Sequence, residues 1–150
     1  MYTIKRTDKT DSDFVNLVAE LDAYLKVTDG EDHGFYNQFN GLENIHHAIV
    51  LYSGSKAIGC GAIKKFDADS AEVKRMYVQP DQRGTGAATQ ILTGLEDWAR
   101  ELGFKCCILE TGSRQVEAVR FYYKSGYQKT ANYGQYIGVE NSNCFEKYLS

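Results

Sequence analysis

Residues 71 to 103, AEVKRMYVQPDQRGTGAATQILTGLEDWARELG, constrain this chain more than any other stretch. A strand-like run ends at Val78, and a loop with two glycines follows. From Ala87 the apolar residues Ala88, Ile91, Leu92, Leu95, Trp98, Ala99 and Leu102 recur at helical spacing. The order is strand, tight glycine loop, helix. The first turn of a helix leaves backbone N–H groups unpaired, and the helix dipole favours negative charge there. Such a loop is suited to a phosphorylated ligand.

Two nucleotide patterns fit the loop poorly. A P-loop ends in Gly-Lys-Ser/Thr, whereas Gly86 is followed by Ala87 and Ala88, and a dinucleotide fingerprint started at Gly84 would put Thr89 at its third glycine. The run Arg83-Gly84-Thr85-Gly86-Ala87-Ala88 instead resembles the R/Q-x-x-G-x-G/A signature of the GNAT superfamily of N-acetyltransferases. A second block, QVEAVRFYYKSGY at residues 115 to 127, is similar to that family's N-x-x-A-x-x-L-Y-x-K-x-G-F element. Ala118, Phe121, Tyr122, Lys124, Gly126 and Tyr127 match, and Gln115 stands where Asn is commoner. The strand AEVKRMYV, with Glu72 near its start, also resembles the strand that carries the catalytic carboxylate in several members.

The resemblance implies an α/β (α+β) fold in one N-acetyltransferase domain spanning residues 1–150. Its mixed, mostly antiparallel sheet of about seven strands is flanked by helices, and acetyl-CoA lies in a cleft between two splayed parallel strands. Backbone amides of Arg83, Gly84, Thr85, Gly86, Ala87 and Ala88 would grip the pyrophosphate. The pantetheine arm would pair with the backbone of Met76 and Val78 like an added strand, where the sheet parts after Val78 and Thr111. Gln115 would meet the same arm with a longer side chain than the usual Asn.

For catalysis the resemblance offers Tyr122 as proton donor to the departing thiolate and Glu72 as base toward the amine, directly or through water. An alkyl amine and a phenol both have pKa values of about 10, so the amine needs a base at neutral pH and the phenol can serve as acid. A backbone N–H near Val78 would polarise the carbonyl. The alternatives are that Tyr122 only packs its helix on the sheet, and that Glu72 is a surface-facing acid at a strand start. At the level of the whole protein, the competing readings are a non-catalytic acyl-CoA-binding or sensing domain, and a nucleotide-binding domain that lacks the required lysine.

Elsewhere the chain is less specific. Tyr2 to Thr7 alternates like a strand, and residues 12 to 25 place Phe14, Leu17, Val18, Leu21 and Leu25 on one helical face, with Asp11 or Ser12 as N-cap. Residues 27 to 44 mix Asp29, Glu31 and Asp32 with Phe35, Tyr36 and Phe39; by resemblance they wall the acceptor site, where the acids attract a cationic amine, or they form a solvated loop pinned by its aromatics. Residues 46 to 52, 56 to 66 and 71 to 78 suggest an antiparallel meander. Gly59 and Gly61 mark close packing or a bulge. KCCILE at 105 to 110 reads as a strand covered on both faces, followed by a helix over 115 to 125 and two tail strands near 127 to 130 and 144 to 149.

Composition narrows the partners. A net charge of −3 with no basic run gives no electrostatic basis for binding nucleic acid or an anionic membrane, so the expected partner is a small-molecule or peptide amine acceptor. No stretch approaches a span of ~18 apolar residues or a signal peptide, which points to the cytoplasm. Cys60, Cys106, Cys107 and Cys144 read as reduced core residues, and His46 and His47, adjacent on a strand, do not suggest a metal site. Homodimers are common in the family that the motifs resemble. Tyr24, Tyr36, Tyr133 and Tyr136 are candidates to line an acceptor pocket.

Overall fold

The computed structural model describes residues 1–30 and 41–150. Among these residues the elements run β1 (Tyr2–Thr7), α1 (Ser12–Asp29), β2 (His47–Ser53), β3 (Lys56–Lys65), β4 (Ser70–Val78), α2 (Ala87–Glu101), β5 (Cys106–Gly112), α3 (Val116–Lys124), β6 (Gln128–Thr130) and β7 (Ser142–Tyr148). The strands form one sheet in the order β1-β2-β3-β4-β5-β7-β6. All neighbours are antiparallel except β4 and β5, the pair joined by α2. This matches the mixed seven-stranded expectation.

Each face of the sheet is covered. On one side Phe14, Leu17, Val18 and Leu21 of α1 bury against Ala48, Val50, Cys60, Ala62 and Tyr77. On the other, Ile91, Leu92, Leu95 and Ala99 of α2 bury against Ile49, Leu51, Ile58, Ile63, Val73 and Leu109. A fully buried aliphatic side chain contributes about 1.5–3 kcal/mol, so these two layers hold the sheet between the helices. Asp11 starts α1 by accepting a hydrogen bond from the Phe14 N–H at 3.1 Å.

Gly61 shows why the centre of the sheet is glycine-rich. A Cβ there would lie 2.8 Å from Met76 Sδ and 2.9 Å from both Ile91 Cγ2 and Leu95 Cδ1, so α2 can approach β3 only where a side chain is missing. Opposite Gly61 the register slips: Cys60 faces Tyr77 and Ala62 faces Lys74, leaving Arg75 and Met76 opposite a single residue. This is a β-bulge, with Arg75 in the left-handed region at φ 60°. The Arg75 guanidinium pairs with the Asp22 carboxylate, which ties the bulge to α1.

The bulge corrects one expectation. The parallel pair was expected to part after Val78 and Thr111, but pairing of β4 with β5 covers only Ser70–Glu72 against Cys106–Ile108. A bulge bends its strand and increases the local twist. The residues of β4 beyond Glu72 therefore leave β5 two residues before Arg75, and the cleft opens earlier and runs deeper into the sheet.

Candidate active site

The cleft between the diverging strands has β4 on one side and α3 on the other. Where the strands part lies a cavity of about 120 Å³, lined by Glu72, Lys74, Glu110, Thr111, Tyr122 and Tyr136 among others. It continues into a cleft of about 510 Å³ between Met76 and Val78 on one wall and Gln115, Ala118 and Tyr122 on the other. A third hollow, about 520 Å³, lies along Gly84, Gly86, Ala87 and Ala88, with Lys124 and Lys147 across from them. The strand, the glycine loop and α3 thus share one continuous groove.

The loop itself is built for backbone exposure. Gly84 and Gly86 have φ of 77° and 84°, and a Cβ at either would meet nothing within 4 Å. Gly86 is the N-cap of α2 and has no side chain to cover the first turn. The loop ahead of the 15-residue helix is therefore exposed and no side chain caps its first turn, which leaves room for a phosphate at the helix N-terminus. Thr85 points the other way: its hydroxyl donates to the Gln82 carbonyl at 2.7 Å and accepts from Tyr2 Oη at 2.6 Å. Arg83, although exposed, is held to the strand end, its Nε donating to the Val78 carbonyl at 2.9 Å and its guanidinium lying over the rings of Tyr24 and Tyr77. A carbonyl has two lone pairs, so this bond leaves Val78 able to accept once more.

Tyr122 lies on the inner face of α3, its ring packed against Phe121, Tyr127 and Phe145. Its side chain lines both the small cavity and the larger cleft, and its hydroxyl makes no hydrogen bond among the described residues. Burial pushes the phenol upward from its ordinary value. Tyr123, one residue on, is half exposed and stacks edge-on against Phe145. Gln115 precedes α3 without capping it, and its side chain faces the groove.

Glu72 is buried rather than surface-facing. Tyr133 donates its hydroxyl proton to Glu72 Oε2 at 2.7 Å, and Lys74 Nζ lies 3.8 Å from Oε1. Burial first, and then the Glu72 charge, raise the Tyr133 phenol far above its ordinary range. Tyr136, the neighbour of Tyr133 at 5.7 Å in a T-shaped contact, completes this wall of the cavity. Tyr24 lines the cleft, whereas Glu31, Asp32, Phe35, Tyr36 and Phe39 lie outside the described residues, as does the Asp29 side chain. The Tyr133 to Glu72 bond joins parts of the chain 61 residues apart, and no local signal announces it.

Among the described residues no group of three or more His, Cys, Asp or Glu is placed to hold a metal ion, and His47 packs edge-on against Trp98 at 4.9 Å. No helix among them is long and apolar enough to cross a membrane. All four cysteines are buried and unpaired with one another.

A strand-floored groove that ends on an open glycine loop at a helix N-terminus, with a buried phenol midway, defines an acyl-CoA-dependent transferase class of site. The sequence profile of the acetyltransferase (GNAT) family matches residues 14–127. An IAA acetyltransferase of Azospirillum brasilense is 34% identical over 150 residues, covering 98% of this chain and 97% of that one. An aminoalkylphosphonate N-acetyltransferase of Salmonella typhimurium is 28% identical over 91 residues, covering 58% and 59%. In three dimensions, a Klebsiella pneumoniae protein assigned as an acyl-CoA N-acyltransferase superposes with a TM-score of 0.84 at 32% identity, covering 100% of this chain and 99% of that one. The chain belongs to the GNAT family: it is an acetyl-CoA-dependent N-acetyltransferase.

Proposed function

We propose that the chain, acting as a single domain over residues 1–150, acetylates the primary amine of a small molecule by direct attack within the cleft between β4 and β5. When bound, acetyl-CoA supplies an activated acetyl group on a sulfur that departs as thiolate. Open amides around Gly84, Gly86 and Ala87 hold the phosphates, and Met76, Val78 and Gln115 line the path of the arm. Glu72 takes the proton of the incoming ammonium, directly or through a water. Its Oε2 is held by Tyr133, which leaves Oε1 toward the cavity. Tyr122 holds a proton at Oη for the leaving group, and its raised proton affinity keeps it in the acid form at neutral pH.

The observation that carries this reading is Tyr122. Its ring is buried, yet its hydroxyl makes no hydrogen bond among the described residues and opens onto the junction of two hollows, where it is available to a bound group. It is well placed as an acid. The non-catalytic alternative gives that hydroxyl no task. The test is release of free thiol from acetyl-CoA in the presence of amino acids, amines, polyamines, aminoglycosides and peptide N-termini, with mass spectrometry of the acetylated product. Binding of acetyl-CoA without thiol release from any amine would return the protein to a sensing role. We further propose that it works in the cytoplasm, on the strength of its unpaired cysteines.

A further inference from the structure

Lys74 stands two residues after Glu72 on β4, so both side chains leave the strand on one face. Its partner across the sheet is Ala62, which packs under α1. The Lys74 side chain is only 9% exposed. Its ammonium makes no hydrogen bond among the described residues, and the nearest opposite charge, Glu72 Oε1, is 3.8 Å away, beyond hydrogen-bond range. The stem is buried, but Nζ is not sealed off: it opens onto the cavity with donors that no protein acceptor fills. Burial lowers its proton affinity, opposed by Glu72 and Glu110 and reinforced by Lys64 and Arg75. Arg75 is already engaged with Asp22 and with the Val18 carbonyl.

Lys74 lines the same small cavity as Tyr122 and Glu72. Glu72 Oε1 and Lys74 Nζ therefore present a carboxylate and an ammonium side by side at the point where the acceptor must enter. The complementary ligand carries the opposite pair at similar separation. We infer that the acceptor is an amine bearing a carboxylate close to its nitrogen, an amino acid in the broad sense, with the amine received at Glu72 and the carboxylate at Lys74. The inference rests on the acetyl-transfer reading above and narrows its acceptor class. Polyamines and aminoglycosides bring no anion to Lys74 and add like charge beside it, so this wall selects against them.

The experiment uses the whole protein with acetyl-CoA and matched acceptors: glycine, β-alanine, phenylalanine and glutamate, each beside its amide and its amino alcohol. The carboxylate members should show a kcat/KM about ten- to a hundredfold higher, the range expected when a hydrogen bond to a charged group is lost. Lys74→Met should abolish this preference through KM for the acids, and Lys74→Arg should retain part of it. Should Lys74→Met fail to fold, the preference of the parent and of Lys74→Arg decides. Parent turnover of neutral partners at equal or higher rates overturns the inference and leaves the transferase reading intact. So does a preference that survives in folded Lys74→Met. If no amine of any kind releases thiol, the transferase reading falls and the inference with it.

Discussion

Tyr133 Oη lies 2.7 Å from Glu72 Oε2 and is the hydrogen-bond donor that holds the buried carboxylate in place. Phe66 and Tyr136 pack edge-on against the Tyr133 ring at 5.1 and 5.7 Å, so the hydroxyl approaches from a fixed direction. Tyr133→Phe keeps those contacts and deletes the bond. Because a hydrogen bond to a charged group contributes about 1.5–3 kcal/mol, chemical denaturation should show a loss of that order. The carboxylate also loses the contact that fixes its direction. The kcat should therefore fall while acetyl-CoA affinity is kept, and an unchanged kcat would remove the held carboxylate from the role of base.

Tyr122→Phe removes one oxygen from a ring whose packing on Tyr127 and Phe145 is otherwise kept. If the hydroxyl protonates the leaving thiolate, kcat should fall about ten- to ten-thousandfold, general acid catalysis being typically worth 10²–10⁴ with water as partial substitute. Affinity for acetyl-CoA should change far less. Tyr123→Phe, at a half-exposed site on the same helix, is the control and should behave like the parent. Equal turnover in Tyr122→Phe assigns that residue to packing alone.

At Gly86 the constraint is backbone conformation, since φ is 84° and there is open space where a Cβ would go. An L-residue other than Asn or Asp in that region costs roughly 1–2 kcal/mol. Gly86→Ala should lower the melting temperature of the ligand-free protein, and Gly86→Asn should lower it less. A Gly86→Ala protein as stable as the parent would mean that the loop relaxes to another conformation.

Asp11 links stability to pH. Its burial would raise its proton affinity, but hydrogen bonds from Lys5, the Phe14 N–H and Thr7 outweigh this and hold the carboxyl below its ordinary value. A carboxyl depressed in the folded state contributes stability above its unfolded pKa of about 3.9, and that contribution is lost as pH falls through the lower, folded value. Asp11→Ala should cost about 1 kcal/mol near neutral pH, the usual value of an N-cap. The difference from the parent should shrink in strong acid. A constant difference down to pH 2 would show that ionisation plays no part.

What the sequence disclosed was what is local. The path from Val78 through Gly86 into α2 and the block from Gln115 to Tyr127 each carry their signals within a dozen or so residues, and the resemblance they support leads to the observed mixed sheet of seven strands with one parallel pair. The point at which the strands part is not legible in the sequence, because it depends on the bulge at Arg75. A glycine would have marked a left-handed residue, and arginine does not. Glu72 offered either a base or a surface acid, since its burial is decided by Tyr133 from a distant segment. Lys74 is hidden for the same reason: in the string VKRM it reads as a solvated charge, and only distant parts of the chain enclose it.

The four buried cysteines carry a practical consequence for anyone who handles this protein. Burial pushes Cys60 and Cys107 up to about 12 and Cys144 to about 11, and it raises Cys106 as well. At neutral pH the native chain should therefore react only slowly with a thiol-reactive dye, which needs the thiolate. Colour in an assay of released coenzyme then reports turnover alone. When the same dye is added without substrate and the sample is warmed, the onset of labelling marks the temperature at which the sheet opens, so the protein carries its own unfolding indicator.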